Sequence, residues 1–508
     1  MVENKLVLEL ANRLNGIAIL SSDITDKDLS GVDFESLIAM ARARFSGIAA
    51  PSLLTKDLLV QIVKDKDAGD VLRERSSTQN KSFEPMAKGI SNNFAVANQA
   101  FERTGGKVSD FADFFNDRLE KLKAIIYDSQ SSSMSGMIHN IESVKQYTRG
   151  REVVLVGMVY DKIITKNGHV LITLEDETGT AKILFIKPEQ GRGGQQAAEL
   201  FMNSKKIVND EVIAVRGKVS DPFIIASALV HPDVPVRQKK KIEEDIAIAF
   251  MSDIHIGSRL FQQKQFDRFI DWMNGRIDHK KELAGKIKYI VVSGDLVDGI
   301  GVYPGQEREL SIDDIYRQYY ELFSSFAKLP EYVQIFLITG NHDAVQRAEP
   351  QPTLPEEFYR DFKLSNIHLA PNPSYIMLNG IRVLGYHGTS LDSIIQGIPG
   401  CSYSKPEDAM LEILKRRHLS PIYGDNPIVP SKNDSMVIDK VPDILHMGHL
   451  HKNGYSEYHG TLIVNSGTWQ GRTDFQVRMG HIPTPAQMPV YEAKSGTMNV
   501  IDFNSSGL

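Results

Sequence analysis

Five short groups of metal-ligating residue types follow one another through the second half of the chain. They are Asp253-Ile254-His255, Gly294-Asp295, Gly340-Asn341-His342-Asp343, Gly385-Tyr386-His387-Gly388 and Gly448-His449-Leu450-His451. Each sits at or just after an apolar, strand-like run. As possible ligands they supply Asp253, Asp295, Asn341, His255, His387, His449 and His451, with His342 beside the asparagine. That inventory suits two divalent cations sharing a bridging carboxylate, the arrangement that splits phosphate esters with activated water.

The residue types make physical sense one by one. Asp253 and His255 are two apart, so at an extended strand end their side chains point to the same side and can hold one ion. Asp295 follows the apolar run Tyr289–Ser293, and Gly294 lets the backbone bend close to the site. An aspartate carboxylate can bridge two cations through its two oxygens. Asn341 offers a neutral amide oxygen, which binds a hard ion without adding charge against a phosphate. His449 and His451 can reach different ions from one loop. Mixed oxygen and imidazole donors suit manganese, iron or zinc. A lone histidine is ordinarily a polar residue satisfied by a hydrogen bond, but five groups in this order argue against that for Asp253, His255, His449 and His451. His387 stands in a short group. His446, Asp298 and His368 read as structural.

The elements that must position these residues alternate from Ile246 onward. Apolar strands at 246–251, 289–293 and 335–339 are separated by helical stretches at 262–273 and 311–328. The pattern predicts an α/β layered architecture, whose ligands collect at the carboxyl ends of strands. Upstream, residues 140–236 change to period two with glycine turns: 153–159, a Lys166-Asn167-Gly168 hairpin, 169–176, a Thr178-Gly179-Thr180 turn, 181–185 and 211–217. Exposed aromatics that could stack on bases are few there, mainly Tyr160, Phe185 and Phe223. A structural or protein-facing role is favoured over base stacking. Arg237-Gln238-Lys239-Lys240-Lys241 runs directly into Glu243-Glu244-Asp245 and reads as a solvated tether.

Residues 1–75 read as a helical N-terminal module, 76–104 as a flexible polar linker, and 105–139 as a helical connector. In the connector Phe111, Phe114, Phe115, Leu119, Leu122 and Ile126 trace one apolar stripe. At 508 residues three domains are the fair expectation, and a formal charge of -6 excludes a uniformly basic nucleic-acid coat while leaving room for a local basic groove. Cys401 is the single cysteine, so no internal disulfide and no thiolate cluster can form. The N-terminal residues lack a secretory pattern and no apolar run is long enough for a bilayer, which predicts a soluble, cytoplasmic protein with no membrane partner.

The ordered set Asp-x-His, Gly-Asp, Gly-Asn-His-Asp, a lone His and Gly-His-x-His resembles the signature of the calcineurin-like metallophosphoesterases. That resemblance implies one metal on Asp253, His255, Asp295 and His451, and a second on Asp295, Asn341, His387 and His449. It also implies that His342 lies near the scissile phosphate as a catalytic group, with Asp343 holding it in orientation. The "EDETGTAK" hairpin at 175–182 and its neighbours resemble the oligonucleotide-binding (OB) barrel. Helical N-terminus, polar linker, OB-like barrel (140–236) and phosphoesterase domain (246–508) together resemble the small subunits of archaeal family-D DNA polymerases. Met251–Ser258, Gly385–Ser390 and Ile482-Pro483-Thr484-Pro485-Ala486 carry this locally. The resemblance implies a multidomain α+β protein with a two-metal 3′–5′ exonuclease that proofreads DNA synthesis. The expected cofactors are two divalent ions, manganese first with iron or zinc as alternatives, and magnesium for the polymerase. The expected partners are a large catalytic subunit, single-stranded or frayed 3′ ends of DNA, and a sliding clamp. A stand-alone metallophosphoesterase acting on nucleotides or phosphoproteins, and an inactive assembly subunit, are the competing readings.

Overall fold

The computed structural model describes residues 83–97, 105–129, 138–189, 194–362 and 365–505, together with two short strands near the N-terminus. The chain divides into two compact units, Met1–Phe83 and Glu84–Leu508. In the first, Ala18–Leu20 pairs in parallel with Ser52–Leu54. The helical module expected over 1–75 otherwise lies outside the described residues, as do 76–82 and 98–104 of the expected linker.

In the second unit the largely apolar runs become strands withdrawn from water, with the few polar side chains among them hydrogen-bonded inside the fold. Every residue of Ala247–Met251, Ile287–Ser293 and Gln334–Ile338 is buried, as central strands of a parallel sheet covered on both faces must be. With Ile367–Ala370 they form the parallel part of a six-stranded sheet, which Gln487–Glu492 and Thr497–Asp502 extend in antiparallel fashion. A second six-stranded sheet has parallel strands Ile381–Gly385, Ile444–Met447 and Thr461–Ser466 at its centre, with Asn453–Tyr458 and Ser374–Leu378 antiparallel beside them. The sheets pack face to face through Phe250, Val291, Phe336 and Ile338 from one and Ile376, Val383, Ile444 and Val464 from the other. Helices Leu391–Gly397 and Pro406–Arg416 cover the second sheet's other face through Ile394, Met410, Ile413 and Leu414. Helix Gln263–Met273 stacks Phe266 and Phe269 on Trp469.

Residues 83–97 of the expected linker include regular structure. Phe94–Val96 is the outermost strand of the second sheet, antiparallel to Ser374–Leu378. Lys288 Nζ donates to the Ala87 and Ile90 carbonyls, and Phe94 packs on Phe336. Phe94 and Val96 supply the period-two contacts that outweigh the polar composition around them. The apolar stripe of the connector forms helix Val108–Ser129, whose Leu119, Leu122 and Ile126 pack against Val156, Met158, Val212 and Ala214.

Those last residues belong to a closed five-stranded barrel. Glu152–Ile164, Val170–Asp176, Gly179–Phe185, Phe223–Val230 and Val212–Ser220 pair in that order, and Val212–Ser220 returns to Glu152–Ile164. The second hairpin turns at Glu177-Thr178, one residue earlier than expected, because Gly179 already pairs with Asp176. Of the three candidate aromatics, Phe185 fills the barrel core and Tyr160 is exposed. The basic tether is pinned to the second sheet: Arg237 pairs with Asp443 at 2.8 Å and Lys239 with Glu457 at 3.1 Å. Among the described residues no helix is long and apolar enough to cross a membrane.

Candidate metal centre

All five ligand-type groups emerge within two residues of a strand's carboxyl end, three from the first sheet and two from the second. Packing the sheets face to face brings these ends to one rim. The backbone there is not the extended strand end the two-residue spacing predicts. Asp253, His255, Asp295, His449 and His451 have φ of 49°, 54°, 51°, 67° and 55°. A left-handed conformation costs roughly 1–2 kcal/mol per non-glycine residue, so surrounding bonds must enforce it. They do: Asp253 N–H donates to the Gly294 carbonyl at 2.9 Å, and Ile254 and His255 N–H both donate to the Asp295 carbonyl. Thr468 Oγ1 donates to the Asp253 carbonyl at 2.8 Å. The side chains converge because the backbone curls.

Two donor clusters result. In one, His451 Nε2 lies 3.2 Å from Asp253 Oδ1 and 3.1 Å from His255 Nε2. In the other, His387 Nε2 lies 2.9 Å from Asn341 Oδ1 and 3.3 Å from His449 Nδ1. Asp295 Oδ2 stands between them, 3.8 Å from His255 Nε2 and 3.3 Å from His387 Nε2. Its other oxygen accepts from the His342 N–H at 2.9 Å. The sequence-predicted ligands therefore all meet at one place.

Hydrogen bonds on the far side of each ring decide which nitrogen faces the centre. His255 Nδ1–H donates to buried Asp298 at 3.0 Å, His387 Nδ1–H to the Ser293 carbonyl at 2.9 Å, and His449 Nε2–H to Asp392 at 2.9 Å. The inward nitrogens then carry lone pairs, aimed at one another and at the Asn341 oxygen. Converging lone pairs at about 3 Å repel unless a proton or a metal cation lies among them, and this set of imidazole and oxygen donors fits divalent ions. His451 differs. Gln476 Nε2 lies 2.9 Å from its Nδ1, while Gln476 Oε1 accepts from the Thr473 N–H. Binding a cation through His451 Nε2 asks that amide to turn its oxygen toward the ring.

The charged groups of the centre also act on one another. Burial alone would raise Asp295, but the neighbouring His387 and His342 hold it well below the usual carboxylate range. Burial alone would lower His387, yet Asp295 and Asp253 lift it to about 10. Buried carboxylates favour the protonated form of the nearest imidazole.

His342 Nδ1–H donates to the Asp298 backbone carbonyl at 2.8 Å, which leaves Nε2 facing the centre, 4.0 Å from Asp295 Oδ2. Asp343 does not hold this ring, as the resemblance implied. Its carboxylate accepts from the N–H groups of Gly340 at 2.7 Å and Leu296 at 3.2 Å and from the Tyr319 hydroxyl at 3.1 Å. It therefore braces the loop that carries Asn341. Burial, then the charge of Asp295, push Asp343 up to about 7.

Sequence reasoning set Asp298 aside as structural and passed over Asp392 and Gln476. Asp298 carried a faint signal, three residues after Asp295 in the same post-strand loop. Asp392 reads in the sequence as an ordinary first-turn acid of a helix. His446 behaves as expected of a structural residue: hydroxyls of Ser293 and Ser466 hold its two nitrogens at 2.9 Å each, and burial lowers its pKa to about 3.

The family model for the B-subunits of DNA polymerases alpha and epsilon matches residues 248–454, a span that contains all five groups. The chain is 40% identical over 406 residues to the DNA polymerase II small subunit of Methanothermobacter thermautotrophicus, covering 79% of this chain and 80% of that one. It is 42% identical over 389 residues to the one from Archaeoglobus fulgidus, covering 76% and 75%. For Thermoplasma acidophilum the identity is 39% over 411 residues, covering 80% of each. The chain belongs to the archaeal DNA polymerase II (family D) small subunits. In this family-D small subunit the aligned length exceeds the two-sheet part, so the likeness takes in most of the chain.

Proposed function

We propose that this small subunit carries a two-metal 3′–5′ exonuclease that proofreads DNA synthesis beside a large subunit that polymerises. The observation that carries the reading is Asp295 Oδ2, set between two clusters of inward-facing donors. One ion would be held by Asp253, His255, Asp295 and His451, the other by Asp295, Asn341, His387 and His449. Bound there, two divalent cations, manganese first, would activate water and neutralise phosphate charge. His342 would touch the substrate through Nε2, which would take a proton from solvent as phosphate charge arrives and pass it to the departing 3′ oxygen while Nδ1–H stays on the Asp298 carbonyl. The domain layout we propose is an N-terminal module (1–75), the barrel (140–236) as a structural or protein-facing element, and 246–508 as the nuclease. DNA would be gripped mainly through phosphates, so selectivity for sequence would be weak and salt dependence strong. Frayed ends would be favoured over paired ones because they reach the centre without melting.

The test is manganese-dependent degradation of 3′-labelled and 5′-labelled single strands by the purified chain, with and without its large subunit, compared with His451→Ala and His342→Ala. Stepwise loss from the 3′ end that both substitutions abolish is the expected result. Turnover of small phosphate esters with DNA left whole would favour a stand-alone phosphoesterase. No degradation even by the complex would favour an assembly subunit.

A further inference from the structure

Beyond the ligands, one rim of the centre is lined by rings that the chain does not bury. The six-residue helix Asp474–Met479 turns a single polar side chain inward, Gln476, which is buried against His451. Its neighbour Phe475 is 59% exposed, a large fraction for a ring beside a buried polar site. Phe475 sets its edge on His481, with centroids 6.5 Å apart, and His481 stacks on Tyr403 at 4.0 Å. Burial, then the charge of nearby Asp392, raise the Tyr403 hydroxyl, and Asp392 in turn holds His449. A row of three rings thus runs from solvent toward the carboxylate that orients His449. Across the centre, Tyr303 lies 6.2 Å from His342.

We propose that Phe475, with the His481–Tyr403 stack behind it, is a base-stacking residue for the terminal nucleotides of single-stranded nucleic acid. The proposal rests on the nuclease reading and names how the strand is held. Rings with open faces bind any base, which suits a site that must accept all four. The segment 471–482 carries Arg472 and Arg478 against one carboxylate, Asp474, and both arginines are exposed, so the rim is basic where a phosphate chain would enter. A protein seated on Phe475 would instead cap the mouth of the centre, which a substrate-admitting rim cannot tolerate.

The experiment uses the chain in complex with its large subunit, unchanged or as Phe475→Ala or Phe475→Trp. Affinity for a fluorescein-labelled oligothymidylate is read by anisotropy without divalent metal, and removal rates are compared for ordinary and abasic 3′ ends. Phe475→Ala is expected to weaken strand affinity about tenfold and to erase the preference for an ordinary end, with the abasic rate unchanged. Phe475→Trp is expected to restore both. Retained affinity and preference in Phe475→Ala would overturn the proposal. So would an equal drop on both ends, or loss of the large subunit with strand binding intact, which would mark a protein-docking face. If the unchanged complex removes neither end, the nuclease reading fails while the anisotropy arm still decides the role of Phe475.

Discussion

Asp298 and Asp392 touch no inward donor atom, yet each fixes which nitrogen of a histidine faces the centre. Replacing either by asparagine keeps the shape but removes the charge that favours an N–H toward it. Asp298→Asn and Asp392→Asn are each expected to weaken manganese binding roughly 10–100-fold while the fold persists. Titration calorimetry with manganese, alongside circular dichroism, checks this, and unchanged affinity would show that the two carboxylates only fill space. The ligands themselves were legible because ligating chemistry restricts residue type and the groups sit beside recognisable strands. The orienting carboxylates were not, since an aspartate in a loop or a helix's first turn has many ordinary uses.

At the scale of elements, the parallel strands announce themselves as fully apolar runs, and their observed limits shift by a residue or two from the expected ones. The loops after them were harder. Spacing implied an extended Asp253–His255 end, whereas positive φ at five donors curls these loops inward. Nothing in a three-residue motif fixes that conformation; it comes from amides and hydroxyls supplied by neighbouring loops. Glycines make the close approach possible. A Cβ at Gly340 would collide with the Asp295 backbone nitrogen and carboxylate, and one at Gly448 with Ser252 and the Asp253 carboxylate. Gly340→Ala and Gly448→Ala should therefore cost about 1–3 kcal/mol and lower manganese affinity, read from urea unfolding and metal titration. Unaltered stability in both would mean that the loops have slack the structure does not show. Phe94–Val96 teaches the opposite lesson, since a short strand inside a polar stretch is too brief to stand out until its partner Ser374–Leu378 is in place.

Within the second unit a buried charged knot ties the long helix to the loop before Ile444–Met447. Arg118 of the long helix donates to Asp434 at 2.8 Å, and His418 Nε2–H donates to the same carboxylate at 2.8 Å. Burial, then the Arg118 charge, lower His418 to about 4, so the folded protein keeps it neutral, while burial is outweighed at Asp434 by His418 and Arg118, which hold it ionised. The unfolded chain binds a proton at His418 near its ordinary pKa of about 6.5, before the folded one does. Stability is thus complete above about pH 6.5 and lost as pH falls toward 4, by about 3 kcal/mol from this group. Urea midpoints across that window should slope less in His418→Gln than in the unchanged chain, and equal slopes would remove His418 from the account. Arg118→Ala should cost about 3–5 kcal/mol by leaving Asp434 buried without its cation, seen as a lowered Tm.

By itself the sequence determined the kind of chemistry, the order of the donor groups, the layered and barrel elements, and the likeness to family-D small subunits. Those are properties of residue type and local period, which survive without knowledge of distant contacts. Only the tertiary structure decided that Asp295 stands between two donor clusters, that Asp298 and Asp392 set the ring orientations, that Asp343 braces a loop rather than His342, and that Phe475 lies open at the rim. The first depends on two sheets closing face to face, and the others on loops and helices of neighbouring strands meeting, contacts between residues that the chain keeps tens to hundreds of positions apart.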